Sequence, residues 1–135
     1  MATLFSRIIK GEIPSYKCAE DGEFYAFLDI NPIKRGHTLV VPKKETDYFF
    51  DLSDTDIARM QVFAKKVAAA IKEAFPCRKV AQAVIGLEVD HAHIHLVPID
   101  NEGELFSGRH ISLTPDEFQA TAEAIYTIFE QNKAQ

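Results

Sequence analysis

The stretch His91-Ala92-His93-Ile94-His95-Leu96-Val97-Pro98 sets imidazoles and apolar side chains in alternation. Successive side chains of an extended chain point to opposite faces, so the pattern predicts a strand over Ala92 to Ile99. His91, His93 and His95 then form a row on one face, with Ala92, Ile94 and Leu96 on the other. A rise of about 3.3 Å per residue spaces neighbouring histidines by roughly 6 to 7 Å and the outer two by about 13 Å, with His93 flanked on both sides. A single histidine on a strand is ordinarily a half-solvated surface residue. The chain holds five histidines, however, and three of them share one face of one short segment.

Working outward, the segments on either side read as a sheet interleaved with helices. Leu4, Ile8 and Ile9 suggest a short amphipathic helix that Gly11 and Pro14 terminate. Glu23 to Ile30 mixes aromatic and apolar residues in an extended run closed by Asn31-Pro32, and His37 to Val41 makes a second strand ended by Pro42. From Ser53 to Phe75 the residues Ile57, Met60, Phe63, Ala64, Val67, Ala68 and Ile71 recur at spacings of three and four, the period of a helix. Val80 to Ile85 returns to strand character. Thr114-Pro115-Asp116-Glu117 carries a capping box that opens a last helix, with Phe118, Ala122, Ile125 and Phe129 on its buried side. Strands joined by short turns, with helices set apart, indicate an α+β domain with a mainly antiparallel sheet.

At 135 residues and 47% hydrophobic content the chain is expected to form one domain, 1–135, with a single core. No apolar run approaches the roughly 18 residues that span a bilayer, and basic residues interrupt the start, so no signal peptide or membrane anchor is expected. Cys18 and Cys77 lack the spacing of a disulfide framework or zinc knuckle and read as reduced thiols of a cytoplasmic protein. A net charge of −5, spread along the chain, gives a nucleic acid polymer no broad basic face. A small anion held in one local pocket is compatible with it.

A histidine row permits two kinds of chemistry besides plain solvation. An H-x-H pair can present two imidazoles to zinc, although ligands at about 2.0 to 2.1 Å cannot all reach one ion from a straight row about 13 Å long, so a metal would use a pair and ligands from elsewhere. Imidazole is also a nucleophile near neutral pH: one ring of a row can attack phosphorus while its neighbours donate to oxygens that gain charge.

With Leu96-Val97 after it, the row resembles the histidine triad family, whose pattern is His-φ-His-φ-His-φ-φ with φ apolar. Phe5-Ser6-Arg7-Ile8-Ile9-Lys10-Gly11-Glu12-Ile13-Pro14-Ser15, Ala26-Phe27-Leu28-Asp29-Ile30-Asn31-Pro32 and Gly36-His37-Thr38-Leu39-Val40-Val41-Pro42-Lys43 are similar to further blocks of that family in the same order. The resemblance implies a HIT-like fold, with a five-stranded sheet, one long central helix and a C-terminal helix, in the branch of small nucleotide-binding hydrolases. It implies a homodimer that buries the long helix against its partner, a purine nucleotide or nucleoside phosphoramidate as ligand, and no cofactor. By position, His93 matches the nucleophile that attacks the α-phosphorus of a phosphoramidate or related phosphoanhydride. His95 matches a phosphate contact, His91 and His37 match supporting histidines, Asp29 the carboxylate on the ribose hydroxyls, and Phe27 and Ile30 apolar contacts of the base. Each flanking residue also has a plain reading: Asp29 caps a turn, Phe27 is core, His37 is a satisfied surface histidine.

The chain departs from the family's pattern at several places. Gly86-Leu87-Glu88 occupies the nucleotide-binding loop before the triad, Leu87 standing for an amide that contacts phosphate and Glu88 for a hydroxyl residue near the leaving group. The usual upstream asparagine falls at Val80. Thr3 and Ser6 replace the cysteine pair with which some bacterial relatives hold structural zinc, so no metal is expected. There is no tryptophan. The third triad residue is histidine, where nucleotidyl-transferring relatives have glutamine, which favours hydrolysis. The substitutions at Leu87 and Glu88 also leave open a nucleotide-binding or partner-binding module with little or no catalysis.

Overall fold

Strand β2 (Phe24–Leu28) is buried along its whole length. Phe24, Ala26 and Leu28 face one apolar layer, and Tyr25 and Phe27 face another. The computed structural model describes residues 2–133. β1 (Lys17–Glu20), β2, β3 (Thr38–Pro42), β4 (Lys79–Ala83) and β5 (Ile94–Ile99) form one antiparallel sheet in the order β1-β2-β3-β5-β4. Helices α2 (Asp54–Ala74) and α4 (Pro115–Lys133) cover one face, and the short α1 (Leu4–Ile9) lies on the other with Phe5 and Ile8 packed on Tyr25, Phe27, Leu39 and Val41. This is the α+β architecture expected, and no described helix is long and apolar enough to cross a membrane.

The helices form where their caps and stripes say they should. The Ser53 hydroxyl accepts from the Asp56 amide at 3.0 Å, and Thr114 and Glu117 exchange the reciprocal bonds of a capping box at 3.1 and 2.9 Å. Met60, Phe63, Ala64, Val67 and Ile71 of α2 and Phe118, Ala122, Ile125 and Phe129 of α4 are buried together. Each of the larger side chains contributes roughly 1.5–3 kcal/mol by leaving water.

Four expectations need correction. β5 begins at Ile94, not Ala92, because the preceding backbone is bonded elsewhere: the Ala92 amide donates to the Thr46 carbonyl at 2.6 Å and the His91 amide to the Val89 carbonyl at 2.8 Å. Only His95 of the three histidines lies in the strand. α1 turns Phe5, Ser6 and Ile8 inward and leaves Leu4 47% exposed, so its buried side is not Leu4, Ile8 and Ile9. β2 stops at Leu28 and β4 at Ala83, each two residues short of expectation, since Asp29-Ile30 already belongs to a turn and Val84-Ile85 pairs with no neighbouring strand. β1 and α3 (Glu102–Phe106) were not foreseen. The four residues of β1 have no clear alternation, whereas the capping box of Asn101 and Glu104 was legible.

The turn from β2 to β3 ends on Gly36, whose φ of +99° is costly for any residue with a side chain. A Cβ there would also stand 3.2 Å from Phe75 Cδ2 and 3.4 Å from Pro98 Cγ. Gly36→Ala is expected to destabilise the fold by roughly 1–3 kcal/mol, read as a lower midpoint in urea unfolding. An unchanged midpoint would contradict this account of the turn.

Candidate active site

Four imidazoles gather on the sheet face that α1 covers. β5 carries His95, which pairs with Leu39 of β3; His37 comes two residues before Leu39 on the same side, and His91 and His93 lie in the segment leading into β5. The His37 and His95 ring centroids are 5.3 Å apart, and those of His93 and His95 4.9 Å. Phe5 stands edge-on to His93 at 5.0 Å and tilted against His91 at 5.8 Å, so α1 closes this side of the cluster.

Hydrogen bonds to backbone groups determine where each ring carries its proton. A carbonyl only accepts, so His93 Nδ1 donates to the His91 carbonyl at 2.7 Å and His91 Nε2 donates to the Pro42 carbonyl at 2.8 Å. An amide only donates, so His37 Nδ1 accepts from Ile33 N–H at 3.0 Å, and the proton of the neutral ring lies on Nε2. That proton points at His95 Nδ1, 3.0 Å away, which leaves His95 with its own proton on Nε2. His93 Nε2, by the same accounting, holds a lone pair. Among the described residues no buried side-chain nitrogen or oxygen lacks a partner, and His93 Nε2 and His95 Nε2 have none in the protein, so both atoms are open to solvent.

Burial keeps the supporting rings neutral. His37, 2% exposed, is pushed down to about 4 by desolvation, against the opposing pull of Asp29 and with help from His95 and His110. Desolvation likewise lowers His91, which is fully buried, and His95, where His93 adds to the effect while Asp29 and Glu88 oppose it. Asp29 accepts from the Asn31 amide at 2.8 Å, the turn cap that its sequence context suggested, and its other oxygen lies 3.6 Å from His37 Nε2.

Asp29, His37 and His95 place ligand atoms within 4.8 Å of one another, the one such group among the described residues. The proton assignment does not fit a metal there, since Ile33 N–H occupies the lone pair of His37 Nδ1 and forces the proton onto the nitrogen facing the others. Thr3, Ser6, Glu45 and His91 offer two hydroxyls, a carboxylate and an imidazole nitrogen already closed into mutual hydrogen bonds. That set lacks the thiolates of a structural zinc site and does not fit one either.

Of the other expected residues, Phe27 is 4% exposed, edge-on to Phe5 at 5.4 Å, and is chiefly core. Ile30 is 77% exposed beside Asp29 and supplies open apolar surface. Gly86, at φ +76°, bends a loop on which Leu87 is 85% exposed and Glu88 is also exposed. Phe5, Thr3, Ser6 and Glu45 were not singled out as site residues. Phe5 and Ser6 lay in the opening block, Thr3 and Ser6 were marked only as standing for the zinc cysteines of some relatives, and nothing marked Glu45, since local pattern carries no information on contacts across the fold.

The HIT domain family model matches residues 10–102 of the chain. The chain is similar to the adenosine 5'-monophosphoramidase of Schizosaccharomyces pombe, 36% identical over 128 residues that cover 93% of this chain and 96% of the relative. It is similar to an uncharacterized HIT-like protein of Methanocaldococcus jannaschii, 38% identical over 76% of this chain and 83% of the relative. A zinc-bound histidine triad family protein of Mycobacterium smegmatis superposes with a TM-score of 0.83 at 28% identity, covering 99% of this chain and 97% of that one.

A histidine held neutral in the fold binds its proton later than in the unfolded chain. Stability from His37 is therefore fully present above the ordinary histidine value of about 6.5 and is lost as pH falls towards about 4, with His91 and His95 acting in the same direction. Urea unfolding across this range is expected to show stability declining with acid, and the His37 ring resonances should remain those of a neutral imidazole down to about 4. Titration of His37 near its ordinary value would contradict the assignment.

Proposed function

Because the chain belongs to the HIT domain family, we propose that it is a nucleotidyl hydrolase acting on nucleoside phosphoramidates or related phosphoanhydrides. It releases a nucleoside monophosphate by way of a nucleotide carried on His93. The observation that carries this reading is the bare lone pair of His93 Nε2 beside the free N–H of His95 Nε2. One ring can attack while its neighbour, 4.9 Å away between centroids, donates a hydrogen bond.

The lone pair of His93 Nε2 forms a bond to the α-phosphorus, and the bond from phosphorus to the leaving nitrogen or oxygen breaks with its electron pair, a leaving nitrogen taking up a proton from solvent so that it departs as the amine. The ring becomes cationic, and its Nδ1–H strengthens the existing bond to the His91 carbonyl. His95 Nε2–H supports a phosphate oxygen as charge develops there. Water then attacks the phosphorus, the P–N bond to His93 returns its pair to Nε2, and the proton of the water is lost to solvent. Asp29 takes the ribose hydroxyls with the acceptor sites its turn leaves over, and Ile30 offers its exposed side chain to the base. The relationship to a named adenosine 5'-monophosphoramidase favours a purine nucleotide carrying a P–N bond. A nucleotide-binding module without turnover is the second reading, favoured by Leu87 standing apolar and exposed where the resemblance implies a phosphate-binding amide.

We also propose a homodimer formed by a second copy of this chain. β4 is an edge strand of the sheet, and Val62, Val84 and Ile85 beside it are 54%, 37% and 67% exposed. A two-fold axis perpendicular to the sheet at that edge would pair the strand antiparallel with its own copy and bury these side chains. Light scattering at micromolar concentration is expected to give the dimer mass, and a monomer mass would remove the claim.

With labelled adenosine phosphoramidate the nucleotide is expected on His93 after acid-free quenching and alkaline peptide mapping, as an acid-labile adduct. His93→Ala should bind nucleotide without turning it over. Full activity in that variant, or label on another residue alone, sinks the mechanism. Nucleotide binding without product in the unaltered protein selects the module instead.

A further inference from the structure

The proton pattern of the site depends on the His91 carbonyl being held still, and the groups that hold it start outside the cluster. Glu45 Oε1 accepts from the Thr3 amide at 2.8 Å and from the Ser6 hydroxyl at 2.7 Å. That commits the single proton of Ser6. The Thr3 hydroxyl oxygen receives the Ser6 amide at 3.0 Å, and its proton has two acceptors in reach, Ser6 Oγ at 3.1 Å and His91 Nδ1 at 2.8 Å. The shorter bond is to His91, whose Nδ1 is an acceptor because its proton is on Nε2 facing the Pro42 carbonyl. Next to Glu45, the Thr46 carbonyl takes the Ala92 amide at 2.6 Å. The pair Glu45-Thr46 thus grips His91 from both sides, through two hydroxyls to its ring and directly to the backbone after it.

We propose that Glu45 is a positioning residue for the reaction: acting through Ser6 and Thr3, it holds His91 so that the His91 carbonyl keeps the proton of His93 on Nδ1 and the lone pair on Nε2. Its kinetic consequence rests on the hydrolase reading above, whereas its effect on the His93 proton does not. Nothing about Glu45 itself demands a packing role, for its side chain is exposed, while the residues it ties together, Ser6 and His91, are 7% and 0% exposed. An exposed carboxylate acting on buried donors is a group whose removal alters order without opening a cavity.

The test compares Glu45→Ala with Glu45→Gln and Thr3→Val with Thr3→Ser. Alanine removes the acceptor and valine the donor, whereas glutamine keeps a carbonyl oxygen and serine keeps a hydroxyl. Nitrogen-15 spectra of the imidazoles at neutral pH are read without substrate. In the unaltered protein His93 should show one protonated and one bare ring nitrogen. In Glu45→Ala the two signals should move towards each other as the tautomers mix, and Glu45→Gln should restore most of the separation. With an adenosine phosphoramidate, kcat of Glu45→Ala and Thr3→Val is expected to fall about tenfold with KM changed less than about twofold, since geometry at the nucleophile is lost and nucleotide contacts are kept. Unaltered His93 nitrogen signals in folded Glu45→Ala overturn the proposal, even if kcat falls. Should Thr3→Val fail to fold, the exposed Glu45 pair decides alone. If the unaltered protein turns nothing over, the hydrolase reading fails, and the nitrogen spectra still decide the role of Glu45.

Discussion

The 2.7 Å hydrogen bond from His93 Nδ1–H to the His91 carbonyl decides what this cluster of rings can do. A neutral imidazole has one proton for two nitrogens, so occupying Nδ1 as a donor leaves Nε2 with a lone pair. The same logic runs through the other rings in opposite sense: Ile33 N–H puts the proton of His37 on Nε2, which puts the proton of His95 on Nε2. A bare nitrogen and an N–H donor therefore stand side by side on adjacent rings, and neither assignment comes from a charged group. Backbone amides and carbonyls make both. They do not titrate, and on the proposal above Glu45 enters only by steadying the carbonyl to which His93 donates.

Neutrality is the contribution of the fold. The layer of α2 and α4 buries the far face of the sheet, α1 packs on the near face over Tyr25, Phe27, Leu39 and Val41, and His37 and His91 are both buried in surroundings that disfavour an imidazolium. His95, at the open edge, feels Asp29 and Glu88 working against its burial. The gradient runs from fully enclosed His91 to partly open His95, with the open nitrogens of His93 and His95 at its accessible end. A sheet face suits this, because alternation sends His95 to one side while Ile94 and Leu96 secure the strand from the other.

Periodicity made the helices and most strands legible. The stripe from Ile57 to Ile71 and the capping box at Thr114 each have one reading, and the structure has both. The histidine row was legible as a row but not as a geometry. Alternation implies a strand through all three rings, whereas bonds from Ala92 to Thr46 and from His91 to Pro42 pull the first two off the ladder. Those partners lie about a third of the chain away in sequence, and local pattern has no access to them. Phe27 shows the same limit: an aromatic residue in a strand reads equally as wall or core, and only its contact with Phe5, supplied by an N-terminal helix, settles that it is mostly enclosed. Asp29 was ambiguous between turn cap and ligand. It caps the turn with one oxygen and keeps the other near His37.

Two of the departures from the family's pattern, Leu87 and Glu88, fall on the loop that bends at Gly86, and none of the bonds that set the ring protons comes from that loop. They come from Thr3, Ile33, Pro42 and the His91 backbone. Replacing polar groups at Leu87 and Glu88 therefore leaves the lone pair of His93 Nε2 as it is. Glu88 is close enough to raise the affinity of His95 for its proton. On the proposed reaction, a carboxylate there opposes an anionic leaving group and favours a neutral or cationic amine, while the exposed Leu87 offers apolar surface and no hydrogen bond. On that proposal the two changes act in one direction: away from phosphoanhydrides, whose leaving group carries charge, and towards phosphoramidates of amines with an apolar portion.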